Sequence, residues 1–99
     1  MALRVHLKLF GVFRSAAGTD AISLDLPGEG QTVKSAISDL VSRSGSKELQ
    51  RLILGNEGSD PRSNALILLA GREIGTLAGL DTKLKEGDEL SLLPIAHGG

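Results

Sequence analysis

The chain has 99 residues, with 11 Lys and Arg against 12 Asp and Glu, no cysteine, and only Phe10 and Phe13 as aromatic residues. That length is one domain with one modest core, and 40% apolar with 23% charged residues is a globular composition. The charge balance excludes a basic nucleic-acid surface, the missing cysteines exclude disulfides, thiolate metal sites and a thiol nucleophile, and neither a membrane-length apolar stretch nor a signal-peptide pattern is present, so the expected compartment is the cytoplasm.

The first segment, LRVHLKLF, alternates strictly. Leu3, Val5, Leu7 and Leu9 fall on one face and Arg4, His6, Lys8 and Phe10 on the other, which predicts a half-buried strand. GVFRSAAGTD, with glycines near both ends, reads as a connection, and AISLDLP alternates again through Ile22, Leu24 and Leu26 until Pro27-Gly28 stops it. Two such runs joined by a short glycine-containing link predict an antiparallel hairpin. The period then changes. Val33, Ala36, Ile37, Leu40 and Val41 follow helical spacing, with Thr32 as N-cap and Gly45 as stop. A weaker helical turn runs through SKELQRLIL with Leu49, Leu52 and Ile53 on one side, and GNEGSDPRSN is loop by composition.

ALILL is a continuous apolar run, which predicts a central strand covered on both faces. Arg72 to Ile74 is a short return strand, LAGLDTKLKEGDEL is turns anchored by Leu80 and Leu84, and ELSLLPI is a last strand broken by Pro94. The order of elements is two strands, a helix, then three strands. It predicts an α+β roll: a mixed sheet of four to five strands with one main helix across one face. Residues 1–95 form the expected domain and 96–99 a flexible tail.

Catalytic chemistry is scarce. His6 falls on the polar side of its strand, and neither it nor His97 has a partner at metal-ligand spacing. There is no nucleophile elbow, phosphate loop or dinucleotide fingerprint, and Glu86, Asp88 and Glu89 read as a solvated turn. The chain is thus expected not to be an enzyme but to be acted upon, and the group left for others to act on is the C-terminal carboxylate. At this glycine content, 13 in the chain, a chance Gly-Gly ending is about a one-in-sixty event. The dipeptide alone therefore assigns nothing, and its place after a final strand is what makes it specific.

In this order of elements, VHLKLFGVFRSAAGTD with Phe10-Gly11 and Phe13-Arg14, NALILLAGREI, and LKEGDELSLLPIAHGG resemble the ubiquitin-like sulfur carriers over essentially the whole chain. That group includes the MoaD and ThiS proteins, the ubiquitin-related modifiers and the small archaeal modifiers. The resemblance implies a ubiquitin-like β-grasp roll, no intrinsic cofactor, and an E1-like activating enzyme that uses ATP to adenylate the Gly99 carboxylate. The product is then a thiocarboxylate that donates sulfur, as in tRNA thiolation, or an isopeptide on a target lysine. Pro94 resembles the MoaD ending, which implies as the alternative a molybdopterin synthase small subunit. His97 before Gly98-Gly99, and the long segment from Ser42 to Asn64, resemble the ubiquitin-related modifiers. His97 and Gly98 are the implied tail-recognition residues.

Glycine suits such an end because, without a Cβ, it passes a narrow channel. Ordering about five tail residues costs roughly 5–10 kcal/mol of backbone entropy, comparable with the about 8 kcal/mol of a micromolar complex. A docking face on the folded body must offset that cost. Phe10 and Leu93 fall on the non-core side by alternation, and one set of the apolar run, Ile67 with Leu69 or else Leu66 with Leu68, exceeds what one covered face needs. Phe10, Ile67, Leu69 and Leu93 are taken as the docking candidate, with Arg4, His6 and Lys8 as its rim.

Overall fold

The computed structural model describes residues 2–55 and 60–95; the expectations for His97, Gly98, Gly99 and a tail over 96–99 lie outside the described residues. Five strands, β1 (Ala2–Leu9), β2 (Ala21–Pro27), β3 (Ala65–Leu69), β4 (Arg72–Glu73) and β5 (Glu89–Pro94), form one sheet in the order β2-β1-β5-β3-β4. β1 and β5 are parallel and the other pairs antiparallel, so the sheet is mixed. Among the described residues three α-helices, α1 (Gly11–Ala17), α2 (Val33–Ser44) and α3 (Lys47–Leu54), contribute buried residues to one core on one face of it. No helix among the described residues is long and apolar enough to cross a membrane.

The alternation of β1 and β2 is the physical basis of the first hairpin. Val5, Leu7 and Leu9 face the core with Leu24 and Leu26, their partners being set by the register Val5↔Leu24 and Leu3↔Leu26. α2 covers this layer with Val33, Ala36, Ile37 and Leu40. Its start is fixed by a reciprocal cap: the Ser35 N–H donates to Thr32 Oγ1 at 3.2 Å, and the Thr32 N–H donates to Ser35 Oγ at 2.8 Å. Gly45 ends it in the left-handed conformation. α3 starts at Ser46, whose hydroxyl accepts from the Leu49 N–H, and buries Leu49 and Ile53. The long connection before β5 is strapped to the start of α2 by Val33 N–H to Thr82 O and Leu84 N–H to Gln31 O, which puts Leu84 in the core.

The main helix α2 stands as expected, and α3 forms where the sequence predicts a weaker helical turn. Two sequence expectations are corrected. The segment after β1 is a helix, because seven residues suffice when Phe13 is driven into the core and Ala16 and Ala17 pack beside it. Such a segment is under two turns, too short for its period to stand out. The strand β3 is not central, and only one of its faces is covered: β5 holds the middle position, with Leu90 and Leu92 fully buried, while Leu66 on β3 points away from the helices and is exposed.

Candidate docking face and tail exit

β5 runs parallel to β1, so its C-terminal end, where the chain leaves the sheet, lies beside the end of β1 and the start of α1. Phe10 has extended backbone and donates its N–H to Leu92 O, so the parallel register Leu9↔Leu92 continues to place Phe10 next to Leu93. Across β5 on the other side, Leu93 is the direct partner of Leu66. Phe10, Leu93 and Leu66 therefore form one row across three strands on the face away from the helices. Phe10 is 41% exposed, Leu66 40% and Leu93 half-buried; Ile95, just past the strand, is 40% exposed. Val12 on the first turn of α1 adds an exposed apolar side chain at the same end. Solvent-facing apolar groups gathered in this way are unusual on a small monomer.

The other two docking candidates belong elsewhere. Ile67 is 1% exposed and lies in the core, and Leu69 is half-buried against it. The apolar run offers two interchangeable parities, and pairing with β5 selects between them. Ile67 stands opposite the buried Leu92, and Leu66 stands opposite Leu93. Leu66 replaces Ile67 on the outer face, with Leu68 half-buried along the same parity. Ile95 was not singled out from the sequence because no periodicity extends beyond Pro94.

Toward β2 the same face becomes polar. Arg4 makes a two-pronged contact with Asp25, Nε to Oδ1 at 2.9 Å and Nη2 to Oδ2 at 3.1 Å. Lys8 Nζ lies 3.7 Å from Glu89, and His6 Nδ1 lies 2.8 Å from Ser23 Oγ. The hydrogen bond from Arg4 holds the Asp25 carboxyl below its ordinary range, and the same bond raises the Arg4 guanidinium. The three rim residues thus already have partners within the sheet, and a docking protein would meet a paired, mixed-charge border. An open hollow of about 480 Å³ between the end of β2 and α2, lined by Gln31, Lys34, Ser38 and Asp39, lies at the opposite end of β1 from the tail exit. Among the described residues no three His, Asp or Glu side chains gather as a metal ion would require.

The exit itself is fixed on both sides. Gly11 approaches Pro94 so closely that a Cβ there would lie 2.9 Å from Pro94 Cγ. On the opposite side the Ile95 N–H donates to Asn64 O at 3.1 Å, and Asn64 Nδ2 in turn donates to Ile53 O at 3.2 Å. The last described residues are therefore anchored to α1, to the turn before β3 and, through Asn64, to α3.

A five-stranded mixed roll with helices on one face, whose last strand ends beside an apolar patch, defines a ubiquitin-like β-grasp protein. The ThiS family profile matches residues 7–99, and the chain belongs to that family. In three dimensions it is similar to small archaeal modifier protein 1 from Methanosarcina acetivorans, at 34% identity over 100% of this chain and 99% of that one, with a TM-score of 0.78. The corresponding Haloferax volcanii protein matches at 28% identity over 97% of this chain and 99% of that one, TM-score 0.78. A Pyrococcus furiosus protein described as molybdopterin converting factor subunit 1 matches at 30% identity over 95% and 99%, TM-score 0.73. No curated protein sequence matches the chain. With these neighbours the chain is a ubiquitin-like sulfur carrier or modifier, a small carrier protein by type.

Proposed function

We propose that the Gly99 carboxylate is the working group of this protein and that an E1-like enzyme activates it. A carboxylate is a poor acyl donor. Joining it to AMP at the expense of ATP gives the carbonyl a good leaving group, and pyrophosphate departs. A sulfur nucleophile then produces a thiocarboxylate at Gly99, or a target lysine amine produces an isopeptide. ATP is bound by the partner, and the chain supplies the acyl group and the docking surface.

The observation that carries this reading is the placement of the Phe10, Leu93 and Leu66 row at the end of β5 from which the diglycine segment continues. Membership of the ThiS family through residue 99 supports it. The row supplies apolar area to offset the ordering of the tail, at roughly 25 cal/mol per Å² buried. His97 and Gly98 are the residues the partner's channel reads.

The experiment is incubation with an activating enzyme and ATP, followed by pyrophosphate release and intact mass. Adenylation that vanishes when Gly99 is deleted or extended is expected; adenylation that persists without Gly98 and Gly99 refutes the proposal. With a sulfur source, a mass gain of one oxygen-to-sulfur exchange marks carrier work, and reductant-resistant higher-mass species mark conjugation. A second reading, the small subunit of a molybdopterin synthase, is favoured by the 30% identity to the Pyrococcus furiosus protein. Co-purification of a large synthase subunit in a stable complex distinguishes it.

A further inference from the structure

We propose that Gly11 and Pro94 form a positioning lock that sets the direction in which the C-terminal residues leave the sheet; the inference rests on the functional reading above. Gly11 has a φ of +56°, a conformation that residues with a Cβ adopt only with strain. The space a side chain would fill is taken by the Pro94 ring, with Cγ 2.9 Å and Cδ 3.4 Å from the ideal Cβ position. The ring holds its own φ near −65°, so a rigid residue is seated against a residue that has no side chain. The second hold, Ile95 N–H to Asn64 O, lies on the other side of the same two residues.

The consequence follows from reach. From Ile95 to the end of Gly99 are four residues, which span at most about 13–14 Å when extended. The root-mean-square span of a flexible segment of that length is about 10–12 Å, close to its limit. A tail this short has little slack with which to correct a wrong launch angle. Misplacing a reacting atom by about 1 Å costs on the order of 10²-fold in rate. Gly11 and Pro94 touch neither ATP nor the reacting carbonyl, so their role is positioning.

The test is a double-mutant cycle with two readouts. Gly11→Ala introduces the Cβ that meets Pro94 Cγ, Pro94→Ala removes that Cγ, and the double variant removes the clash. Steady-state kinetics with the activating enzyme separate KM, which follows docking, from kcat, which follows presentation of the carboxylate. Because the chain has no cysteine, spin labels on Gln50→Cys and Ala96→Cys report the exit direction independently of activity. Gly11→Ala is expected to lower kcat about 10²-fold at near-constant KM and to shift or broaden the label distances. The double variant is expected to match Pro94→Ala in kcat and in label distances, while the left-handed backbone that a Cβ at residue 11 keeps is read as a lowered unfolding midpoint in both variants that carry Gly11→Ala. Losses that multiply in the double variant would show backbone strain at Gly11 alone and overturn the lock, as would label distances in both single variants that coincide with the parent's. Should Gly11→Ala not fold, Pro94→Ala with unchanged distances overturns it alone. If the parent protein is never adenylated, the functional reading fails, and the label distances still decide the lock.

Discussion

Replacing Ala70 with asparagine should stabilise this protein, although it changes an exposed residue and adds no contact to the core. β3 and β4 pair Leu69 with Arg72, leaving a two-residue turn of Ala70 and Gly71. Both have positive φ, +51° and +82°, the signature of a type I′ turn. Ala70 is held there: its N–H donates to Glu89 O at 2.9 Å, extending the pairing of β3 with β5, while the chain reverses into β4. Left-handed backbone costs a residue with a Cβ about 1–2 kcal/mol. Asparagine populates that region several-fold more readily, a difference of about 0.6–1 kcal/mol, with no added freedom in the unfolded chain. For a domain of this size that is a rise of about 2–8 °C in Tm. Ala70→Gly relieves the strain too, but it loosens the unfolded chain by about 0.4–1 kcal/mol, which leaves a net gain of about 0–1.6 kcal/mol, comparable with that of asparagine. Urea titrations of the three proteins, followed by circular dichroism, measure both. An asparagine variant whose midpoint equals or falls below that of the parent would refute the assignment of strain to residue 70. Since Ala70 meets the start of β5 and the tail leaves from its other end, adenylation kinetics should be unchanged in either variant.

Adjacent residues on β3 should separate folding from docking: Ile67→Ala should cost about 2–5 kcal/mol in chemical denaturation, whereas Leu66→Ser should shift stability by under about 1 kcal/mol and raise the KM for the activating enzyme on the order of tenfold or more. An equal effect of Leu66→Ser and Ile67→Ala on unfolding would place both in the core. Phe13→Ala should cost about 3–5 kcal/mol and reduce helical circular dichroism as α1 loses its anchor, and a loss below 1 kcal/mol would show that α1 forms without it. The Arg4–Asp25 pair should steepen the acid limb of the stability curve slightly. Asp25 has a lowered carboxyl in the folded state, so its contribution is present above the ordinary carboxylate value and is lost as pH falls through the folded one. Asp25→Asn should flatten that limb while changing neutral-pH stability little, because both groups are exposed; an unchanged acid limb would show the pair to be inert.

Much of the candidate site was legible because the relevant signals are local. Alternation through Leu9 assigned Phe10 to the outer face, and the Pro94 break marked the end of the last strand. The parity of β3 was not legible. Leu66, Ile67, Leu68 and Leu69 carry nearly the same hydrophobicity, so periodicity contains no information about which pair faces inward. The register with β5, Ile67↔Leu92 and Leu66↔Leu93, supplies it. α1 escaped for a different reason: a seven-residue helix is not stable by propensity in isolation, and its existence follows from burying Phe13 in a core assembled from distant segments.

By itself the amino-acid sequence determined the elements whose physics is local: the alternating strands β1 and β2, and the capped helix α2 between Thr32 and Gly45. The tertiary structure alone decided what depends on long-range pairing. Parallel alignment of β5 with β1 brings Phe10 beside Leu93, closure of β3 onto β5 turns Leu66 outward and Ile67 inward, and the approach of α1 seats Pro94 against Gly11. These neighbours lie tens of residues apart along the chain, so only the packing of the whole core brings them together.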